Sequence, residues 1–371
     1  MRKRSGPLAG LKVIEFAGLG PGPFCGMLLA DLGAEVVQID RPGGAMAAFA
    51  VSDHRRNILN RGKRSVVLDL KKSEELEIAL KLVDRADGVI EANRAGVAER
   101  LGIGPDVCLA RNPRLVYGRV TGWGQTGPLA DWAGHDINYI ALAGALHVCG
   151  REGETPAIPQ NFVADMGGGG LYLAFGMLAA LLEARQSGKG QVVDAAMIEG
   201  VALQLSAVLA LRAFGAIDDR RGTGPIGGGA HFYEVYETKD GQHLAVGAIE
   251  PQFYRTFLKE AGLDDPIFEA QWDRARWPML KEQVAARLKE RTRDDWVATF
   301  SSEACVAPVL SLAEVDQHPH MAARGVFFHD GEVMQPAPGP RFSRTPGAVS
   351  APPSRPGEDT QDVLRDWGIP I

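Results

Sequence analysis

Leu11-Lys12-Val13-Ile14-Glu15-Phe16-Ala17-Gly18-Leu19-Gly20-Pro21-Gly22-Pro23, followed by Phe24–Leu32, Gly33 and Ala34–Ile39, is the stretch that decides the fold. Leu11–Phe16 is an apolar run of strand length. Phe24–Leu32 has the length of a short helix and stops at Gly33, and Ala34–Ile39 is a second strand run ending at Asp40-Arg41-Pro42. Strand, glycine turn, helix and strand within about thirty residues form a βαβ unit, and such a unit builds a parallel sheet. Asp40 stands about twenty residues past the glycines, as the ribose-binding acid of a nicotinamide site would. The spacing is not GxGxxG, however, and Pro21 and Pro23 lack the N–H groups that a pyrophosphate would need. A nicotinamide reading is set aside on those grounds.

Working outward, the alternation continues. His54–Arg64 carries Arg55, Arg56, Arg61, Lys63 and Arg64 ahead of a strand at Ser65–Leu70. Alone, such a cluster reads as a solvated basic loop; it gains interest only opposite a polyanion. Ser73–Ala86 is an amphipathic helix with Leu76, Ala79, Leu80 and Val83 on one face and Ser73 as its cap. Short strands follow at Val89-Ile90 and Leu115–Val120. The glycine-rich loop Thr121–Pro128 leads to His135, with Asp136 as cap of a helix through about Leu146. Gly167–Gly170 opens a helix over Leu171–Ala184, Gln191–Asp194 is a strand, and Ala195–Phe214 reads as one long apolar helix. Past the glycine-rich linker Arg221–Gly229 the pattern changes. His231–Thr238 and Gln242–Ala248 alternate around Lys239-Asp240-Gly241, a hairpin signal, and Pro251 suits a first helical position. Thr292 with Asp295 forms a capping box, a second hairpin turns at Asp330-Gly331, and Thr360–Trp367 closes the chain as a helix. A parallel α/β domain followed by a smaller α+β domain is the expected architecture.

Composition bounds the chemistry. With 40 Lys and Arg against 46 Asp and Glu over 371 residues, the net charge of -6 disfavours nucleic acid and anionic membrane as partners. Apolar runs such as Leu171–Leu182 read as too short and too glycine-broken to span a bilayer. Cys25, Cys108, Cys149 and Cys305 are scattered without metal-ligand spacing, so no metal site is expected and the thiols fit a reducing, cytoplasmic setting.

Two polar landmarks stand ahead of apolar runs of helical length: Gly134-His135-Asp136-Ile137-Asn138-Tyr139 and Asp165-Met166-Gly167-Gly168-Gly169-Gly170. A catalyst that moves a proton from one side of a carbon to the other needs two acid–base groups with room between them. His135 and Asp165 can be that pair. Taken singly, each has a plainer reading, the histidine as a hydrogen-bonded core residue and the aspartate as a helix cap. Backbone N–H groups following Asp165 are candidate donors to an enolate oxygen, with the glycines allowing close approach.

Taken together, the blocks resemble the α-methylacyl-CoA racemases of the class III CoA-transferase superfamily. The resemblance runs through Gly20-Pro21-Gly22-Pro23, Asp31-Leu32-Gly33-Ala34-Glu35-Val36, Leu68-Asp69-Leu70-Lys71, Thr121-Gly122-Trp123-Gly124-Gln125, both landmarks, and Gly247-Ala248-Ile249-Glu250-Pro251-Gln252-Phe253-Tyr254. It implies a Rossmann-like parallel-sheet large domain over residues 1–195, a helix and linker over 196–230, a small α+β domain over 231–325, and a return segment, 326–371, that completes the large domain. It further implies an interlocked homodimer with shared active sites. The activity implied is inversion of C2 in 2-methylacyl-CoA thioesters, with His135 and Asp165 as bases and Glu250 holding the histidine. Coenzyme A, part of the substrate and not a separate cofactor, is expected against Arg41, Leu68, Asp69, Leu70, Lys71, Ala92, Asn93, Arg94, Arg100, Gly134, Asp136, Ile137, Asn138 and Tyr139. The chain departs from the pattern at Ala95, where relatives usually have proline, and at Asn93, which replaces a larger residue. Two other readings compete: a coenzyme A transferase on the same fold, with Asp165 attacking an acyl-CoA as nucleophile, and a catalytically idle acyl-CoA binding protein. Transferase relatives lack the histidine matching His135.

Overall fold

Six strands form one parallel sheet in the computed structural model, which describes residues 4–43 and 53–370: β1 (Lys12–Phe16), β2 (Glu35–Asp40), β3 (Arg64–Val67), β4 (Gly88–Glu91), β5 (Val116–Thr121) and β6 (Gln191–Ala196). Their order is β3-β2-β1-β4-β5-β6, every pair parallel, with Val13 registered between Val36 and Gly88. This is the doubly wound arrangement, which reverses direction between β1 and β4; ligands in such sheets bind beyond the carboxyl ends of the strands at that point. The central strands are buried on both faces, which is why Val13-Ile14 and Val89-Ile90 read as unbroken apolar runs and not as alternation.

By contacts the chain divides into two units. One comprises residues 1–143, 160–204 and 319–371, and the other 144–159 and 205–318. The second unit therefore takes in 144–159 and 205–230 besides 231–318, whereas residues 319–325, placed in the small domain from sequence, fall in the first unit. The return segment is part of the first unit, where Val363, Leu364 and Trp367 pack into the core with Ile14, Val37 and Val66. In the second unit β7 (Tyr233–Glu237), β8 (His243–Gly247) and β9 (Val306–Pro308) form an antiparallel sheet whose buried face meets Phe257, Trp277, Leu280 and Trp296. β10 (Phe327–Asp330) and β11 (Val333–Pro336) are the second hairpin. Thr292 Oγ1 accepts the Asp295 N–H at 3.2 Å and the Asp295 carboxylate returns the contact, completing the expected capping box.

Several local expectations are corrected. The first helix begins at Pro21 rather than Phe24, because proline at the first helical positions costs no hydrogen bond. Ser73 opens the next helix, Ser73–Val83, and its cap is Lys72. The cap of the helix Asp136–Leu142 is His135, and Asp136 is its first residue. The helix expected over Ala195–Phe214 is two, Met197–Gln204 and Ser206–Ala213, parting at the boundary between the units. Asp165 stands inside a helix instead of ahead of one: Phe162–Leu171 is π-helical and runs directly into Tyr172–Ser187. Its glycines do not break it, because neighbours fill the space their side chains would need. A Cβ on Gly168 would lie 2.9 Å from Val201 N, and one on Gly170 would lie 2.7 Å from Phe24 and from Pro21 O. The continuous run Phe162–Ser187, with a mean hydropathy of 1.3 over an 18-residue window, is thus long and apolar enough by length and composition alone to cross a membrane, contrary to the reading of shorter fragments. Its inner face lies on β5 and β6, with Leu173, Ala174, Met177 and Leu181 buried.

Candidate active site

A cavity of about 1570 Å³ opens in the first unit at the carboxyl edge of the sheet. The turn after β1 contributes Gly18, Leu19, Gly20 and Pro21, and the end of β4 contributes Ala92, Asn93 and Arg94. These are the strands where the sheet reverses, so the fold itself explains the location. Past β5, Thr121, Gly122 and Trp123 form the next wall. The Tyr139 ring stands edge-on to Trp123, with centroids 4.8 Å apart, in space that a Cβ on Gly122 would occupy.

His135 and Asp165 line this one cavity. The histidine is exposed at the N-terminus of Asp136–Leu142, where its backbone N–H donates to Asn138 Oδ1 at 3.0 Å. Asp165 is half-buried. Asn161 Nδ2 donates to its Oδ2 at 3.4 Å, and a Cβ on Gly20, at φ 65, would sit 3.3 Å from that oxygen. Burial is the main influence on its carboxyl and pushes the pKa up. The Asn161 hydrogen bond opposes the rise, the Asp136 charge adds to it, and His135 works against it. A carboxylate with raised proton affinity is the better base.

The expected donors beyond Asp165 are corrected. The N–H groups of Ala164 and Asp165 both donate, at 2.8 Å, to Oδ2 of Asp136. Met166 N–H goes to Asn161 O at 3.3 Å, and the glycines are packed by helices instead of being held open for a ligand. The N–H groups of Asp136 and Ile137, in the first turn beyond His135, have no partner within their helix.

Of the residues matched to coenzyme A contacts, Ala92, Asn93, Arg94, Gly134 and Tyr139 line the cavity. Arg41 is exposed just past β2, Leu68 is buried in the core, Leu70 packs against that core, and Lys71 is exposed. Asp69 accepts the Lys71 N–H at 3.1 Å and Arg100 is exposed on the helix Val97–Arg100. Asp136 is buried, while Ile137 and Asn138 are exposed. Glu250 lies in the second unit, exposed at the cap of Pro251–Ala261.

The basic cluster is held largely by ion pairs. Arg61 is bound by Asp31 and Gln335, Lys63 by Glu15, and Arg64 by Glu35 and Asp366, all buried or nearly so. Lys63 and Arg64 still line the cavity beside His54 and Arg55, joined by Arg355 from the return segment. No local signal in the proline-rich stretch around Arg355 marked it, since its neighbours in space are some three hundred residues away in sequence.

Residues 8–360 match the model of CoA-transferase family III. An α-methylacyl-CoA racemase of Mus musculus is 45% identical over 98% of this chain and 93% of its own. The Homo sapiens racemase of the same name is 43% identical over 98% of this chain and 94% of its own. Among solved structures, a CAIB/BAIF family protein from Brucella suis superposes with a TM-score of 0.84 at 26% identity, covering 98% of this chain and 100% of that one.

Proposed function

The chain belongs to CoA-transferase family III, and from that membership we propose that His135 and Asp165 invert the C2 centre of 2-methylacyl-CoA thioesters by two-base 1,1-proton transfer. The enzyme is an acyl-CoA racemase, an isomerase. The observation that carries the mechanism is the presence of the imidazole and the carboxylate on the wall of one cavity at the sheet reversal. The thioester carbonyl acidifies the adjacent C–H because the carbanion delocalises onto oxygen. One base removes the proton, the other returns one from the opposite face, and the roles exchange for the other epimer. Each positioned base contributes about 10²–10⁴-fold. The first-turn N–H groups of Asp136 and Ile137 stand beside His135 and are the donors for the enolate oxygen, where one lost donor costs roughly 10²–10³ in rate.

The test is incubation of a (2R)-2-methylacyl-CoA in heavy water. Deuterium enters C2 as configuration is lost. Transfer of coenzyme A to an added free acid with no deuterium at C2 would instead establish the nucleophilic role of Asp165.

The cavity exceeds the ~300–1,000 Å³ of a drug-sized ligand's pocket, which suits an extended nucleotide thioester. Arg94, Arg55 and Arg355 supply positive charge along it. Arg55→Ala and Arg355→Ala are expected to raise KM several-fold with kcat little changed, as for groups that bind ground and transition state alike. Equal KM values for a coenzyme A ester and a truncated pantetheine ester in the parent would count against this placement.

Two chains interlock in this reading, Glu250 of the partner subunit orienting the imidazole. Its support is the outward face of Phe162–Ser187, where Phe162 is 67% and Phe175 72% exposed with Leu171 and Leu182 beside them; an apolar face of that kind marks an interaction surface. Light scattering on a sizing column is expected to return a dimer mass, and a monomer at micromolar concentration would remove the shared site. The reaction calls for no cofactor beyond the coenzyme A of its substrate.

A further inference from the structure

Asp136 follows His135 directly, yet its side chain turns away from the cavity that His135 lines. Oδ2 accepts the N–H groups of Ala164 and Asp165, both at 2.8 Å, in a residue only 6% exposed. Oδ1 is buried too, and meets no donor among the described residues. Those two N–H groups belong to the first turn of Phe162–Leu171, where a helix leaves its donors unsatisfied and where the dipole favours an anion. One carboxylate thus joins the first residue past one base to the backbone of the other base itself.

We propose that Asp136 is the positioning residue of the two-base site, holding the His135 and Asp165 segments at the separation that spans one α-carbon. The proposal rests on the racemase reading. The side chain of Asp136 touches neither substrate nor the transferred proton; it acts through the two segments it ties. Its charge has a second effect, because a neighbouring anion disfavours the ionised form of Asp165 and so keeps that carboxylate basic. The groups facing Asp165 are few. His135, Asp136 and Tyr139 come from the helix Asp136–Leu142 and its cap, and Asn161 from its own segment. The turn before Pro21–Asp31 presents Gly20 and Pro21 to this segment, and Met197–Gln204 presents Met197 and Gly200, all uncharged.

Asp136→Asn tests this with little change of shape. It keeps one acceptor and removes the charge. A fall in kcat of about 10²-fold is expected, the order that a misplacement of 1 Å brings, with KM for the thioester within a factor of about three. The epimer that His135→Ala still deprotonates is the one served by Asp165. For that epimer the acid limb of kcat/KM reports ionisation of Asp165 in the free enzyme. Without the Asp136 charge that ionisation becomes easier, so the limb moves to lower pH. Asp136→Glu keeps the charge in a longer side chain, and is expected to leave the limb in place while kcat still falls. A side chain that merely supported the fold would lower the folded fraction and leave both readouts, per thioester-binding site, where they were; that result overturns the proposal. Should Asp136→Asn fail to fold, the parent protein decides. The Ala164 and Asp165 amides are expected to be protected from hydrogen exchange, and exchange at the rate of open first-turn amides overturns the clamp. A parent with no racemisation sinks the underlying reading and this one together, whereas an active parent with an unaltered Asp136→Asn sinks this one alone.

Discussion

His135→Ala and Asp165→Ala each abolish racemisation, and each still washes the α-hydrogen out of one epimer. The expectation follows from the proposal that two acid–base groups face one carbon from opposite sides. Removing either leaves the other beside the C–H of the epimer presented to it. The surviving group takes that proton, trades it with solvent, and returns a deuteron to the same face. Exchange then proceeds with retention, because nothing delivers a proton from the far side. Racemisation should fall by at least about 10²–10⁴-fold, the contribution of one positioned base, while exchange of the matching epimer persists. The two variants must choose opposite epimers. Burial and the Asp136 charge raise the proton affinity of Asp165. Each pure epimer of a 2-methylacyl-CoA, followed in heavy water by proton NMR at C2 and by chiral analysis, gives the answer. If either variant exchanges both epimers alike, or inverts them at the parent rate, the two-base arrangement is wrong. A catalytically idle binding protein would show no exchange in the parent to begin with.

The parallel sheet was legible in sequence because it rests on local signals. Leu11–Phe16, Gly20 and Gly33 act within a few residues of themselves, and the same holds for the Lys239-Asp240-Gly241 turn and the Thr292 capping box. His135 and Asp165 were singled out through the blocks around them, and both line one cavity. What escaped was set by residues distant in sequence. The run of glycines after Asp165 looks open to a ligand when read alone; Pro21, Phe24, Met197 and Val201 fill it. Asp136 looks like a helix cap until the donors to its carboxylate are traced to the N–H groups of Ala164 and Asp165, twenty-eight and twenty-nine residues on. Arg61, Lys63 and Arg64 look like a solvated cluster because the acids that neutralise them lie on other elements. Side-chain pairing across a sheet leaves no periodic trace in the chain.

Lys63→Met is expected to cost about 3–5 kcal/mol of stability at neutral pH, the range for stranding one member of a buried ion pair. Lys63 Nζ lies 2.8 Å from Glu15 Oε1 and 2.7 Å from Oε2, with the two side chains 2% and 0% exposed. Burial is the leading influence on both, pushing the Glu15 pKa up and the Lys63 pKa down, and their mutual attraction opposes it. Methionine fills the volume and removes the charge, so Glu15 must stay ionised without a partner or bind a proton. Its folded pKa then lies further above the unfolded value. Such a group contributes fully below its unfolded pKa and loses that contribution as pH rises through the folded one. The deficit of Lys63→Met should therefore be smallest in acid and grow towards pH 8. Adding Glu15→Gln removes the stranded charge and should recover much of the loss, since a buried pair is often replaceable by neutral groups. Melting curves of the parent, the single and the double variant at pH 5 and pH 8 check this; a single variant as stable as the parent at pH 8 refutes it. Activity should not return with stability. Lys63 Nζ also donates to Pro23 O at 3.0 Å, anchoring the helix whose leading glycine, Gly20, lies against Asp165. The double variant thus separates the two duties of Lys63: neutralising Glu15 restores the core, while the turn beside Asp165 stays untethered and kcat stays low.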